Sequence, residues 1–259
     1  NDEADSWTGL GISYAGLKAL GLPDASLSTF PIAYQQGMAQ RAQTLRDQGE
    51  NAPEHWDEAL RPGTCHIALT IYARNQAALD KAKATALDEL KQSSGVALLG
   101  THEFGADAEA KNPFGFRDSI SQPVVAGSGV EVVPGQPRHI AAGEFILGEA
   151  SETGQSLGVP QPPELGLNGS YAVFRKYISR VGAFNDFTRE HGAEVGGADK
   201  LGAKMFGRWR SGAPLVLAPD ADDEALGADA QRNNDFTFAD DPKGTMCPYS
   251  AHMRRLNPR

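Results

Sequence analysis

Between residues 67 and 99 the chain changes its apolar period twice, and no other stretch limits the fold as much. Ile67, Leu69 and Ile71 alternate with Ala68, Thr70 and Tyr72, which is the period-two pattern of a strand. Asn75 then stands where a helix N-cap belongs. Leu79, Ala82, Ala86, Leu87 and Leu90 follow as one apolar stripe at helical spacing. Val96 to Leu99 is a further short apolar run and reads as a second strand. Strand, helix and strand in succession predict an α+β fold with helices packed on a sheet. The residues alone leave parallel and antiparallel pairing open. With 259 residues, 40% hydrophobic and 22% charged, the chain can bury a sizeable core in one large domain or two small ones.

Other elements follow from local signals. Ser13 caps a short helix through Leu20, which Gly21 and Pro23 end. Pro31 opens a second helix with Tyr34, Met38, Ala42 and Leu45 at helical spacing. Arg46 to Gly63 reads as a surface loop that Trp56 pins to the core. Gly100 to Gln136, rich in Gly, Pro and polar residues, reads as a crossing between two halves. Phe145 and Leu147 are expected in a strand, Ser151 to Gly166 in an irregular excursion, and Ser170 to Ile178 in another strand. Ala198 to Phe206 reads as a helix closed by Gly207. Pro219 to Asp241 is acidic and polar and is expected as a solvated loop. There is no internal repeat.

Chemistry is suggested in two places. One is the run from Asn112 to Pro123, in which a single acid, Asp118, sits among glycine and aromatics and a short helical turn is expected. The other is the run from Cys247 to Arg259, in which His252 is the single histidine. Each has a commonplace alternative. Asp118 fits a turn or helix cap, whose side chain bonds backbone N–H groups. His252, like His55, His66, His102, His139 and His191, fits a surface or satisfied core residue. Trp209, Tyr171, Tyr177 and Tyr249 fit core packing better than electron relay. No zinc spacing, phosphate-cradling glycine loop or hydrolase triad is present.

Charge and composition exclude further classes. A net charge of -9 argues against nucleic acid or anionic lipid as the main partner. No apolar run approaches the length of a transmembrane helix. Cys65 and Cys247 do not make a disulfide framework, and Cys247 reads as a buried apolar residue. The acidic N-terminus lacks the basic and apolar regions of a signal peptide, which points to the cytoplasm. It also lacks an initiator Met, so an upstream segment is expected. The sequon Asn168-Gly169-Ser170 is read as chance.

Gly115-x-x-Asp118 resembles the GxxDG signature of the dye-decolorizing peroxidases. Cys247-Pro-x-x-Ala-His252-x-Arg-Arg-x-Asn-Pro-Arg259 resembles the haem-ligand motif of the same family, in the subgroup with fungal and many bacterial members. The similarity extends through Gly143–Gly148, Asn168–Tyr171 and Gly207–Pro214, and so covers most of the chain. It implies two ferredoxin-like halves, each an antiparallel sheet with packed helices, over residues 1–111 and 112–259. A haem pocket would lie between the sheet and helices of the second half. By the same resemblance His252 holds the iron of a non-covalent haem b and Asp118 is the distal acid for hydrogen peroxide. Ser119, Ile120 and Ser121 lie at the macrocycle, and Arg259 pairs with a propionate. An aromatic reductant, a dye or phenol, is the expected second substrate.

The family usually has glycine where Ser119 stands. It also has a distal arginine some twenty residues beyond the ligand, and further strands. Seven residues follow His252 here, and the family's opening strand has no counterpart before Asn1. A second chain or a further segment is therefore expected to complete the sheet and supply the arginine. The alternatives to a peroxidase are a haem-binding or carrier domain and an incomplete module of a larger assembly.

Overall fold

The structure is a computed structural model that describes residues 4–105, 110–120, 122–132 and 138–256. Two compact units divide the chain. The first comprises Asn1–Glu103, Phe145–Glu149 and Ser156–Val173; the second comprises Phe104–Glu144, Ala150–Gln155 and Phe174–Arg259.

In the first unit β1 (Ser6–Ile12) pairs antiparallel with β2 (Ile67–Ala73), which answers the question the alternation left open. Leu10 faces Leu69 and Ile12 faces Ile67 across the pair. The alternation of residues does not announce β1, because Gly9 and Gly11 interrupt it. Four short helices lie between the strands: α1 (Tyr14–Ala19), α2 (Asp24–Leu27), α3 (Ile32–Gln40) and α4 (Ala42–Leu45). The Ser13 hydroxyl accepts from Gly16 N at 3.0 Å and donates to the Cys65 carbonyl at 2.8 Å, capping α1 and tying it to the start of β2. The second expected helix is interrupted twice, at Gly37 (φ 65°) inside α3 and at Arg41 between α3 and α4.

Helix α5 (Gln76–Gln92) is capped as expected, with Asn75 Oδ1 accepting from Ala78 N at 2.9 Å. Its half-buried positions include Leu79, Ala82, Ala86, Leu87 and Leu90. Leu27 and Phe30 are buried beside Tyr34, whose hydroxyl donates to the Ile12 carbonyl at 2.6 Å. Trp56 donates to the Asn51 carbonyl at 3.0 Å, so it fastens its loop to itself.

Three expected strands do not form among the described residues. Val96–Leu99 and Ser170–Ile178 belong to no ladder, and Phe145 lies in a turn after the 3₁₀ segment Ala142–Glu144. An alternating run specifies a face but not a neighbour, and a strand needs the neighbour. Leu98, Val173 and Ile178 remain exposed.

The second unit contains α6 (Val181–His191), α7 (Ala198–Phe206), α8 (Glu224–Ala228) and α9 (His252–Leu256). Among the described residues it holds isolated bridges at Lys111–Arg117, Val125–Ile140 and Arg208–Pro214 rather than the expected second sheet. Gly207, at φ 91°, closes α7 as expected. Its core gathers Trp209, Leu215, Leu226, Phe236, Phe238, Cys247, Ala251 and Met253.

The expected solvated loop from Pro219 to Asp241 is therefore a correction. Asp223 caps α8 by accepting from Leu226 N at 2.9 Å, and Leu226, Phe236 and Phe238 carry the segment into the core. Asn234 and Asp241 are buried with them. Composition averaged over the run hides these widely spaced apolar anchors. Cys247 is fully buried, and burial pushes its thiol up to about 11. No helix among the described residues is long and apolar enough to cross a membrane.

Candidate active site

Helix α9 presents its residues in two sets. Met253 and Arg254 are buried, as is Ala251 just before the helix, whereas His252, Arg255 and Leu256 are exposed. The exposed three stand at positions i, i+3 and i+4, so they share one helix face. No hydrogen bond engages the His252 ring among the described residues, and its ring centroid lies 6.4 Å from that of Phe206. Three other histidines are engaged. His139 Nε2 lies 3.1 Å from the Val130 carbonyl, His102 faces Asp57 at 4.0 Å, and His191 packs on Phe187.

Behind α9 lies a buried ion pair. Arg254 Nη1 donates to Asp241 Oδ2 at 3.0 Å and to the Cys247 carbonyl at 2.9 Å; Nη2 donates to the Asp241 carbonyl at 2.8 Å. The guanidinium lies over the rings of Phe238 and Tyr249, at 4.3 and 4.5 Å. The Asp241 carboxylate also accepts from the backbone N–H groups of Thr245, Met246 and Cys247 and from the Thr245 hydroxyl. Burial alone would raise the Asp241 carboxyl, but these N–H bonds outweigh it and hold the group below the ordinary carboxylate range.

Asp118 follows a tight turn. Asn112 Oδ1 accepts from Phe114 N and Phe116 N, and Gly115 takes φ 82° between them. Asp118 is exposed; its Oδ1 accepts from Ser119 N at 2.7 Å, and its amide donates to the Ala110 carbonyl at 2.6 Å. No helical turn follows it among the described residues. Ser119 sits at φ 60°, in the left-handed region that favours glycine, at the position where the resembled family usually has glycine. Ile120 is half-buried, and a Cβ on Gly212 would come within 2.6 Å of its Cδ1. Ser121 and Arg259 lie outside the described residues.

The two motifs meet at one aromatic cluster. Phe116, two residues before Asp118, stacks on Phe206, and Phe114 and Phe184 pack edge-on around them. Phe206 ends α7 and is also the ring nearest His252 in the aromatic contacts. Trp209 is buried, as core packing predicts, and donates to the Ala218 carbonyl at 2.7 Å. Tyr171, Tyr177 and Tyr249 are instead exposed. A separate open cavity of about 570 Å³ is bordered by Lys111, Arg117 and Arg210 on one hand and Asp222 and Glu224 on the other. Neither Asp118 nor His252 lines it. No group of three metal-ligating side chains occurs among the described residues.

The buried pair Asp241–Arg254 behind α9 is what reading the sequence missed. Arg254 stood inside the quoted motif. Asp241 was the last acid of an acidic run, six residues before Cys247, with nothing local to mark it as buried.

Comparison with known proteins gives one consistent result. The chain is 33% identical over 271 residues to a dye-decolorizing peroxidase of Mycena epipterygia, covering 96% of this chain and 48% of that protein. It is 36% identical over 264 residues to the dye-decolorizing peroxidase msp1 of Mycetinis scorodonius, at 95% and 48% coverage. Among solved structures, a dye-decolorizing peroxidase in complex with 2,6-dimethoxyphenol superposes with a TM-score of 0.77 at 34% identity, covering 99% of this chain and 58% of that one. An ancestral D-type dye-decolorizing peroxidase gives 0.79 at 30% identity, with 98% and 56% coverage. The chain thus spans about half the length of the curated relatives it matches. No family model matches it.

Proposed function

We propose that this chain, nearly all of which aligns with dye-decolorizing peroxidases, is a part of such a peroxidase and carries its haem-binding and proton-transferring residues. The observation that carries this reading is the outer face of α9. An exposed imidazole with no hydrogen-bond partner among the described residues shares its helix face with Leu256 and Arg255 and lies near Phe206, so apolar surface for a flat macrocycle and a cation for its carboxylates stand beside the ring. A neutral His252 ring would ligate the iron of a non-covalent haem b. Ile120 and Ser121 would border the macrocycle with Ser119, and Arg259 would pair with a propionate. Bound there, haem supplies the redox chemistry that couples peroxide reduction to one-electron oxidation of aromatic reductants.

Asp118 would move the proton. Its Oδ1 is held by Ser119 N, while Oδ2 has no partner among the described residues. Oδ2 is thus open to take a proton from one peroxide oxygen and deliver it to the other as that oxygen leaves as water. Dyes and phenols are the proposed reductants, by analogy with the relative solved with 2,6-dimethoxyphenol. The two ferredoxin-like halves, over 1–111 and 112–259, belong to this proposal.

A further polypeptide segment, on this or another chain, would lay strands against β1 and β2. Leu10 and Leu69 are exposed on one face of that two-stranded pair. Such a segment would also bring positive charge to the peroxide side. The test is an absorption spectrum of the haemin-reconstituted protein, followed by peroxide and an anthraquinone dye. A Soret band with dye bleaching supports the reading. Haem without turnover leaves a carrier, and no haem leaves an incomplete module.

A further inference from the structure

We infer that the buried pair Asp241–Arg254 is a positioning device that sets the direction in which His252 faces its ligand. The inference rests on the haem reading for the identity of that ligand. Arg254 is two residues from His252 in a five-residue helix, so their side chains leave the axis on nearly opposite sides. Whatever fixes the azimuth of Arg254 therefore fixes that of His252. A helix this short has little stability of its own, and its orientation must come from tertiary contacts.

Those contacts act on every side of the guanidinium. Its edge meets a carboxylate and two backbone carbonyls, and the rings of Phe238 and Tyr249 lie within cation–π range. The far end is anchored as well, since Asp241 draws in the amides of Thr245, Met246 and Cys247, the strand of chain that leads into α9. A planar fork can satisfy three acceptors at once; an ammonium is a point donor and cannot reproduce the geometry. This supports the ligand without touching the ring, one step further out than the hydrogen bonds to a ligating ring whose loss typically weakens metal binding about 10–100-fold, so an effect near the lower end of that range is expected.

The test uses the full chain with Arg254→Lys and Asp241→Asn, and with Arg189→Lys as a control in the exposed Asp186–Arg189 pair. Three quantities are measured: amide exchange over Ala251–Leu256 without haem, the rate of haem loss, and the iron–histidine stretching band of the reduced protein by resonance Raman. The expected result is faster exchange, roughly tenfold or more faster haem loss, and a shifted or broadened band in both variants, with none of these in the control. A variant that melts earlier but keeps wild-type exchange, haem loss and band position would show that the pair only stabilises the fold, and would overturn the inference. If the wild type binds no haem, the haem reading fails by itself. Exchange then decides for the pair: unchanged exchange in folded Arg254→Lys overturns it, and faster exchange over Ala251–Leu256 supports it.

Discussion

Phe116 lies nearly flat on Phe206, with ring centroids 4.0 Å apart and planes 16° from parallel. This stack, with the contacts of Phe114 and Phe184 around it and the bond from Arg117 N to the Arg210 carbonyl, holds the turn that carries Asp118 on the end of α7. Phe116 is 2% exposed, so truncation leaves a cavity rather than a solvated gap. Phe116→Ala is expected to cost about 3–5 kcal/mol of unfolding free energy. Phe116→Leu should recover part of that while still loosening the Asp118 turn. Urea titrations compared with haem affinity will separate the two effects; full stability and full affinity in Phe116→Ala would rule out the stack as the link.

His252→Ala should abolish the normal Soret band or the haem content, while His139→Ala and His191→Ala should leave both unchanged. Spectra of the three reconstituted variants settle which ring is the ligand. An unaltered spectrum in His252→Ala moves the ligand elsewhere.

Asp118→Asn keeps the shape of the side chain and removes the proton carrier. The peroxide-dependent step should slow by about 10²–10⁴-fold, with haem content unchanged. Stopped-flow mixing with peroxide measures it directly. A wild-type rate would assign the proton transfer to another group.

Ser119→Gly should stabilise the fold by about 0.5–1 kcal/mol, because a serine held at φ 60° gives up strain that glycine does not carry. The denaturation midpoint should rise at constant slope. A drop in midpoint would mean that the Ser119 hydroxyl makes a bond worth more than the strain.

Alkaline pH should unfold the protein before mild acid does. Cys247 is raised from 9.0 to about 11 and Tyr34 from 10.0 to about 12, both chiefly by burial. Each group is neutral when protonated, and the folded state keeps the proton longer. Their contribution is therefore complete below pH 9 and is lost as pH rises through 11 and 12. For fully buried Cys247 the loss is on the order of 2 kcal/mol. Asp241 has the opposite sign. Its depressed carboxyl contributes above its unfolded value and loses that contribution as pH falls through its lower folded value. Urea midpoints from about pH 2 to about pH 12 test all three, and a flat profile above pH 9 would contradict the thiol and phenol contributions.

By itself the sequence determined what neighbours within a few residues decide. The caps Ser13 and Asn75, the stop at Gly207 and the stripe of α5 all stand where local spacing puts them, since each depends on hydrogen bonds or faces within one or two turns. The two motifs and the family they resemble were legible for the same reason, as runs of adjacent residues. The tertiary structure decided what depends on distant partners. Strand β1 exists because β2, some sixty residues later, lies beside it, whereas 96–99 and 170–178 have the pattern of strands and, among the described residues, no neighbour to make them so. The acids around Asp241 give the run a solvated composition, yet Phe236 and Phe238 draw it inward, and Arg254, thirteen residues on, supplies the charge that makes a buried carboxylate tolerable. Burial and pairing are properties of contacts, and a contact between residues far apart in the chain leaves no periodic trace in either partner's neighbourhood.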